Sequence, residues 1–576
     1  MALLAIAGPA LLAVNFPPSP TLVNQTLALA GWGGMVALVG TSSARHAAGC
    51  ARHSLPLWLA LGLLGLATLL SPAFGALPWG IGVTGLALVG AAGLVAWSIC
   101  SLDGRHPDHE AAFAAFANGM VVAGLASAAI GMVQVFMPSL ADGGWIATHV
   151  PGRATGNVRQ PNHLASLLLW ALIAVVWMRE SGRLRLWQSI GVGAVLLFVV
   201  VLSASRTGLV GAVVLSLWGL LDRQLSSQTR RMLWAIPVFY AVAWWLLSAW
   251  AHHNPQAFAG EARLSHGGDL SSSRFAIWSN TLAMIRDQPW LGVGHGEFNF
   301  VWTLSEFARR PTAFFDHTHN LPLQLLVELG IPLGGAVMGL LLAALFQAWR
   351  RARSAQGHGG AARRAAFMMV LMIGLHSMLE YPLWYAYFLL PTAFAWGFVL
   401  SPASPEGAQT PAGLAPDAAH RNWIAVGAAM VVVAIAATWD YMRVVVIYDP
   451  PELAAPLEER IESGQRSPLF GHHADYAAAT AFGEPKAPLS ASQQLAFRRA
   501  PHQLLDVRLM IAWSQALAAQ GELDKARWLA ARIREFRNPG ADEFFEPCSR
   551  PQQAAQAFQC QPPRRVVNWR EFTEQR

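Results

Sequence analysis

Apolar runs long enough to cross a bilayer recur along this chain from its N-terminus to about residue 447, and no other feature constrains its fold as strongly. Each lies near the roughly 20 residues that a helix needs to span about 30 Å of hydrocarbon. Apolar residues make up 54% of the chain and charged residues only 13%, whereas a soluble protein carries about 25% charged residues. The 24 tryptophans agree with this, because indoles favour membrane interfaces. The chain is read as an all-α polytopic membrane protein.

Helices are expected near 2–15, 24–41, 55–72, 80–100, 112–136, 162–178, 187–204, 207–222, 232–250, 321–349, 365–380, 383–401 and 422–447, about thirteen crossings. The first is short, and the eleventh and twelfth are nearly continuous. Met1–Val14 lacks a basic segment and a clean cleavage site, so it reads as a first helix and not a signal peptide. Arg45, Arg52, Arg105, Arg179, Arg183, Arg185, Arg223, Arg230, Arg231, Arg350, Arg351, Arg353, Arg363, Arg364 and Arg421 all fall in even-numbered loops. By the positive-inside rule the N-terminus and these loops are cytoplasmic. The odd-numbered loops, 137–161 and 251–320 among them, then face outward, and so does everything after about 448.

Residues 1–447 therefore read as a transmembrane domain and 448–576 as a small helical domain outside the membrane, after a Pro/Ala/Ser linker at 401–422. Within that tail, 503–536 reads as two amphipathic helices around Gly521, similar to one tetratricopeptide hairpin. A single hairpin is weak support for a repeat. The net charge of +7 is carried almost wholly by arginine, since Lys486 and Lys525 are the only lysines. These arginines sit in short loops between apolar runs, which argues against a nucleic-acid partner. Cys50 and Cys100 are expected as free thiols. Cys548 and Cys560, twelve residues apart, are a candidate disulfide if the tail lies in an oxidising compartment.

Polar residues that could carry chemistry collect on the outer side. Asp316, His317, Thr318, His319 and Asn320 end the long outer loop and open an apolar helix. A histidine there titrates near neutrality and can act as a base, or it can simply cap the helix. His317 and His319 are two residues apart, which does not fit the i, i+4 spacing of a helical zinc site, so no metal is expected. Arg206 sits in a very short outward turn, where a guanidinium is costly unless it snorkels or meets an anion. Arg274 follows Ser271, Ser272 and Ser273, good caps for a helix start, where a phosphate would be favoured; it could equally be a solvated charge. Arg159 and Gln160 precede Pro161 at a helix start, with Asn162 and His163 behind them. Glu380, Tyr381 and Tyr385 mark another outer junction, one turn from His376. Such a set suits a substrate with a lipid tail and a phosphate or pyrophosphate head. The glycine-rich GVGHG at 292–296 reads as a turn.

RQPNHLAS at 159–166, SASRTG at 203–208, SRFAIW at 273–278, GVGHGEFN at 292–299, HTHNLPLQLLVELGIPLG at 317–334 and HSMLEYPLWYAYF at 376–388 together resemble the bacterial lipid-linked glycan ligases that include O-antigen ligase. Within that group they look most like the pilin-glycosylating, PglL-like O-linking oligosaccharyltransferases, whose C-terminal extension the tail also resembles. The resemblance implies a donor oligosaccharide on undecaprenyl pyrophosphate at the outer face of a bacterial inner membrane, and a Ser or Thr hydroxyl on a pilin or other periplasmic protein as acceptor. It implies no cofactor. His319 matches the family's essential histidine, as base or pyrophosphate ligand, with His317 as runner-up. Arg206 and Arg274 would bind pyrophosphate and stabilise the leaving group. Gln160 and Tyr381 match positions used for activity; Arg159 and Asn320 are further candidates for substrate binding. Ligation to lipid A–core, polymerisation of lipid-linked repeats, and transport remain as competing readings.

Overall fold

The computed structural model describes residues 1–42, 47–253, 258–260, 268–312, 314–402, 416–485 and 488–573. Arg45, most of the linker 401–422, part of the loop 251–320 and Lys486 lie outside the described residues. Among the described residues the secondary structure is helical, with one isolated bridge between Val150 and Arg153. A helix occurs at each expected apolar run. By length and composition the described residues support eight of the about thirteen expected crossings. Eight helices among the described residues are long and apolar enough to span: Leu22–Gly40, Leu55–Phe74, Trp79–Cys100, Pro107–Phe136, Pro161–Glu180, Ser227–His253, Leu321–Ser354 and Arg421–Tyr448. Ala2–Leu11, Leu186–Leu202, Arg206–Leu221 and Ala386–Leu400 have 10 to 17 residues. The chain is a polytopic helical membrane protein.

Two compact units divide the chain: residues 1–61, 90–267 and 340–438 form the first, and 62–89, 268–339 and 439–576 the second. The first is built around Pro161–Glu180, apolar on every side and buried along nearly its whole length. A helix of that kind needs neighbours all round, and Pro107–Phe136, Leu186–Leu202, Arg206–Leu221 and Gly357–His376 supply them. Aromatic rings fill one end: Phe113 meets Trp177 edge-on at 5.0 Å and Phe398 at 4.6 Å. The loop 137–161 is tied down by two buried amides. Gln134 Oε1 accepts from the N–H groups of Thr155 and Gly156 at 3.0 and 2.8 Å, and Asn157 donates to Leu11 O at 2.6 Å. Cys50 and Cys100 are joined as a disulfide, their Cα atoms 5.7 Å apart. This corrects the reading of both as free thiols; packing brings together residues that lie fifty positions apart.

In the second unit the tail shares its core with residues of the 251–320 loop. Ile277, Phe298, Phe300 and Trp302 from that loop pack in one cluster with Trp513, Trp528, Leu529 and Phe536 from the tail. Polar links reinforce it: Trp528 Nε1 donates to Leu304 O at 2.8 Å, Arg310 pairs with Glu535 at 2.9 Å, and His502 meets Glu297 at 2.7 Å. The helix pair expected around Gly521 is present as Val507–Ala519 and Leu523–Phe536, with Gly521 at φ +84° in the turn. Cys548 and Cys560 are bonded.

Leu321–Ser354 is broken at Gly330, whose φ of +74° interrupts the helix. The break frees carbonyls that would cost several kcal/mol each if left bare in lipid. The glycine-rich turn satisfies them: Val293 and Gly294 donate to Val327 O and Glu328 O at 2.9 and 3.0 Å. A Cβ on Gly330 would collide with Trp290 O, so only glycine lets the two segments approach this closely.

Candidate functional site

In the second unit His319 stands in the left-handed region at φ +53°. Histidine reaches that region only against a local cost of about 1–2 kcal/mol, so its neighbours must hold it there. They do so on both sides. The Thr318 N–H donates to Gln324 Oε1 at 2.8 Å and its hydroxyl to Asn320 O at 2.8 Å. Trp278 Nε1 donates to Thr318 O at 2.9 Å. Asn320 Oδ1 accepts from Leu323 N at 3.1 Å and so caps the helix that follows. The His319 ring, half-buried, meets Phe315 edge-on at 5.3 Å. Phe315 O in turn accepts from Asn299, whose Oδ1 accepts from Leu505 N at 2.8 Å. The tail therefore helps to fix the histidine loop.

Gln324 Nε2 donates to Glu328 Oε1 at 2.8 Å, and Glu328 pairs with His295 at 3.2 Å. His317 Nδ1 lies 3.2 Å from Asp316 Oδ1. Burial pushes the Asp316 carboxyl up, but the charge and hydrogen bond of His317, and His319 more weakly, outweigh it and hold the group below its ordinary value.

Arg274 was expected just after a capped helix start. The helix instead begins at Gly268 and runs to Asp287, so Ser273 and Arg274 lie inside it. Arg274 lies four residues before Trp278 and so shares its face, the face that reaches Thr318.

In the first unit three of the motif stretches are joined by one hydrogen-bonded chain. Ser205 Oγ accepts from Gly208 N–H at 3.0 Å, capping Arg206–Leu221, and donates to Asn162 Oδ1 at 2.6 Å. Asn162 Nδ2 donates to the buried Glu380 at 3.0 Å. Ala204, beside Ser205, is also left-handed at φ +48°. Arg206 follows at the first helical position and is half-exposed. Tyr381 stacks on Tyr385 at 6.1 Å, and Tyr385 meets His163 edge-on at 4.7 Å. Gln160 caps its helix, accepting from His163 N at 2.7 Å. Arg159, at φ +57°, donates to the carbonyls of Ala13 and Pro20. Its guanidinium clamps the N-terminal segment.

The sequence-predicted residues thus fall into two groups: Arg159, Gln160, Arg206 and Tyr381 in the first unit, and Arg274, His317, His319 and Asn320 in the second. Sequence reasoning assigned no role to Asn162, Ser205, Gln324 or Glu328. For the last two a signal existed, an amide and a carboxylate at i, i+4 in an otherwise apolar helix. Among the described residues no cluster of His, Cys, Asp and Glu is arranged to hold a metal ion.

Comparison with known proteins agrees with the motifs. Residues 191–338 match the family described as O-Antigen ligase. Residues 154–178 match Protein glycosylation ligase, and 364–543 match Virulence factor membrane-bound polymerase, C-terminal. A General O-oligosaccharyltransferase of Acinetobacter baylyi is 29% identical over 276 residues, 44% of this chain and 46% of that protein. A ComP-specific O-oligosaccharyltransferase of the same organism is 28% identical over 252 residues, 43% of this chain and 44% of that one. The matched region thus spans less than half the length of either relative. The chain is similar to the PglL-like O-oligosaccharyltransferases within the O-antigen ligase superfamily, as its motifs implied.

Proposed function

We propose that this protein transfers an oligosaccharide from undecaprenyl pyrophosphate to Ser or Thr hydroxyls of a pilin or another periplasmic protein, at the outer face of a bacterial inner membrane. The observation that carries the reading is His319, held left-handed by Thr318, Asn320, Gln324 and Trp278 within the segment that matches the ligase family. Strain of this kind persists where the surroundings over-determine a conformation, and it concentrates at functional sites.

On this reading His319 takes the proton from the acceptor hydroxyl as its oxygen attacks the anomeric carbon. The bond from that carbon to the pyrophosphate oxygen breaks, and lipid pyrophosphate leaves with the electron pair. Arg206 and Arg274 bind the pyrophosphate and offset its growing charge, with no metal ion. Gln160, Tyr381, His317 and Asn320 orient donor or acceptor. Arg159 contributes by holding the loop. The tail, with its tetratricopeptide-like hairpin, supports the histidine loop. In a second reading the acceptor is lipid A–core or a lipid-linked repeat; the ligase and polymerase matches favour it.

The test is transfer in vitro from undecaprenyl-pyrophosphate oligosaccharide, with a pilin and lipid A–core offered separately and EDTA present. Glycosylated pilin, lost in His319→Ala, is the expected result. Label on lipid A–core alone would move the chain to the second reading, and activity retained in His319→Ala would overturn the role of His319.

A further inference from the structure

The arginine-rich end of the first unit holds a crevice unrelated to the motifs above. It has a volume of about 400 Å³ and is walled by Leu172, Val176, Ile190, Leu197, Leu215 and Phe239, all apolar. Its mouth carries Gln228 and Arg231. Gly193 lies on its wall, where the absent side chain leaves room.

The charge around the mouth is one-sided. Arg231 is exposed, and no described residue of this unit hydrogen-bonds or ion-pairs with its guanidinium. Arg179 donates to Gln228 at 2.5 Å, and its Nε is buried with no partner among the described residues. Arg185 is exposed at the N-cap of Leu186–Leu202. The carboxylates at this end are engaged: Glu180 accepts from Ser226 at 2.7 Å, Asp222 pairs with Arg364 at 3.0 Å, and Glu110 faces Arg183 at 3.9 Å. Trp187 is 68% exposed and Trp234 42%. Exposed indoles mark headgroup depth in a bilayer, so the mouth lies where a lipid phosphate would lie and the apolar part lies deeper.

We propose that this crevice binds one anionic phospholipid, with an acyl chain against Leu172, Ile190 and Phe239 and the phosphate at Arg231. Apolar surface below and the Arg231 guanidinium above complement such a molecule. Basic pockets between membrane helices commonly hold anionic headgroups. One arginine near the surface is worth about 1 kcal/mol, or about fivefold in affinity.

The experiment uses full-length protein, delipidated in detergent and titrated with phosphatidylglycerol or with phosphatidylcholine of the same chains. Bound lipid is counted by native mass spectrometry. Phosphatidylglycerol is expected to bind at least fivefold more tightly, and Arg231→Gln to erase that preference. Gly193→Leu should remove tight binding of phosphatidylglycerol by filling the crevice. The new Cβ would sit 3.6 Å from Leu172, an ordinary contact, so the fold should tolerate it. Equal binding of the two lipids, or a preference that survives both substitutions, would overturn the proposal.

Discussion

If His319 is held in the left-handed region by its neighbours, then removing its side chain and removing its strain are separable. His319→Ala and His319→Gly both delete the imidazole and its edge contact with Phe315, 5.3 Å away. That contact is worth about 0.5–1.5 kcal/mol in either variant, so it cancels between them. The backbone does not cancel. At φ +53° alanine keeps a cost of about 1–2 kcal/mol, and glycine keeps none. Glycine gives back about 0.5–1 kcal/mol through the larger entropy of its unfolded chain. The difference leaves His319→Gly about 0.5–1 kcal/mol more stable than His319→Ala. That corresponds to a two- to fivefold shift in the folding equilibrium. Thermal midpoints of both variants in the same detergent measure the order directly. Both should be inactive in transfer. Should His319→Gly melt at or below His319→Ala, the argument that the loop stores strain here fails. Should either keep activity, the role of the imidazole fails separately.

Gln324→Leu should leave the Thr318 N–H without its partner, at a cost of about 1–3 kcal/mol, while Glu328 keeps His295. Because the histidine loop loses its tether, kcat should fall about 100-fold with KM little changed, and equal falls in binding and turnover would refute a positioning role. The lowered Asp316 carboxyl makes a signed prediction: its contribution to stability is present above the ordinary carboxylate range and is lost as pH falls through the lower native value. Asp316→Asn should therefore flatten the acid limb of the stability profile, and an unchanged limb would count against the pairing with His317. Arg310 stacks on Trp302 and Phe536 at 4.8 Å each and pairs with Glu535 across the loop and the tail. Arg310→Ala should destabilise by about 1–3 kcal/mol, because it removes a buried cation stacked on two rings and leaves Trp302 O without its donor, while Glu535 keeps Arg532 at 2.8 Å. A thermal midpoint unchanged by Arg310→Ala would refute it.

Hydropathy and short motifs are local properties, and what they govern was legible. Every expected apolar run forms a helix, Pro161 starts one, Gly521 turns one, and the histidine motif precedes one. The motif stretches also pointed to the superfamily that the chain is similar to. Local composition could not say how far a helix extends: Arg206–Leu221 and Ala386–Leu400 are apolar but short, and the helix carrying Arg274 starts at Gly268 and not at the serines. Nor could it say that Gln160 and Arg159 spend hydrogen bonds on a cap and a clamp.

Only the tertiary structure decided the rest. It set the sharing of one core by the tail and the outer loop, and the joining of Cys50 to Cys100. It also set the chain from Ser205 through Asn162 to Glu380, and the repair of the break at Gly330 by a turn some forty residues earlier. The physical reason is the same in each case. A helix is specified by side chains three and four residues apart, which a sequence displays. A buried polar group is satisfied by whichever partner packing brings to it, and the sequence does not record that distance.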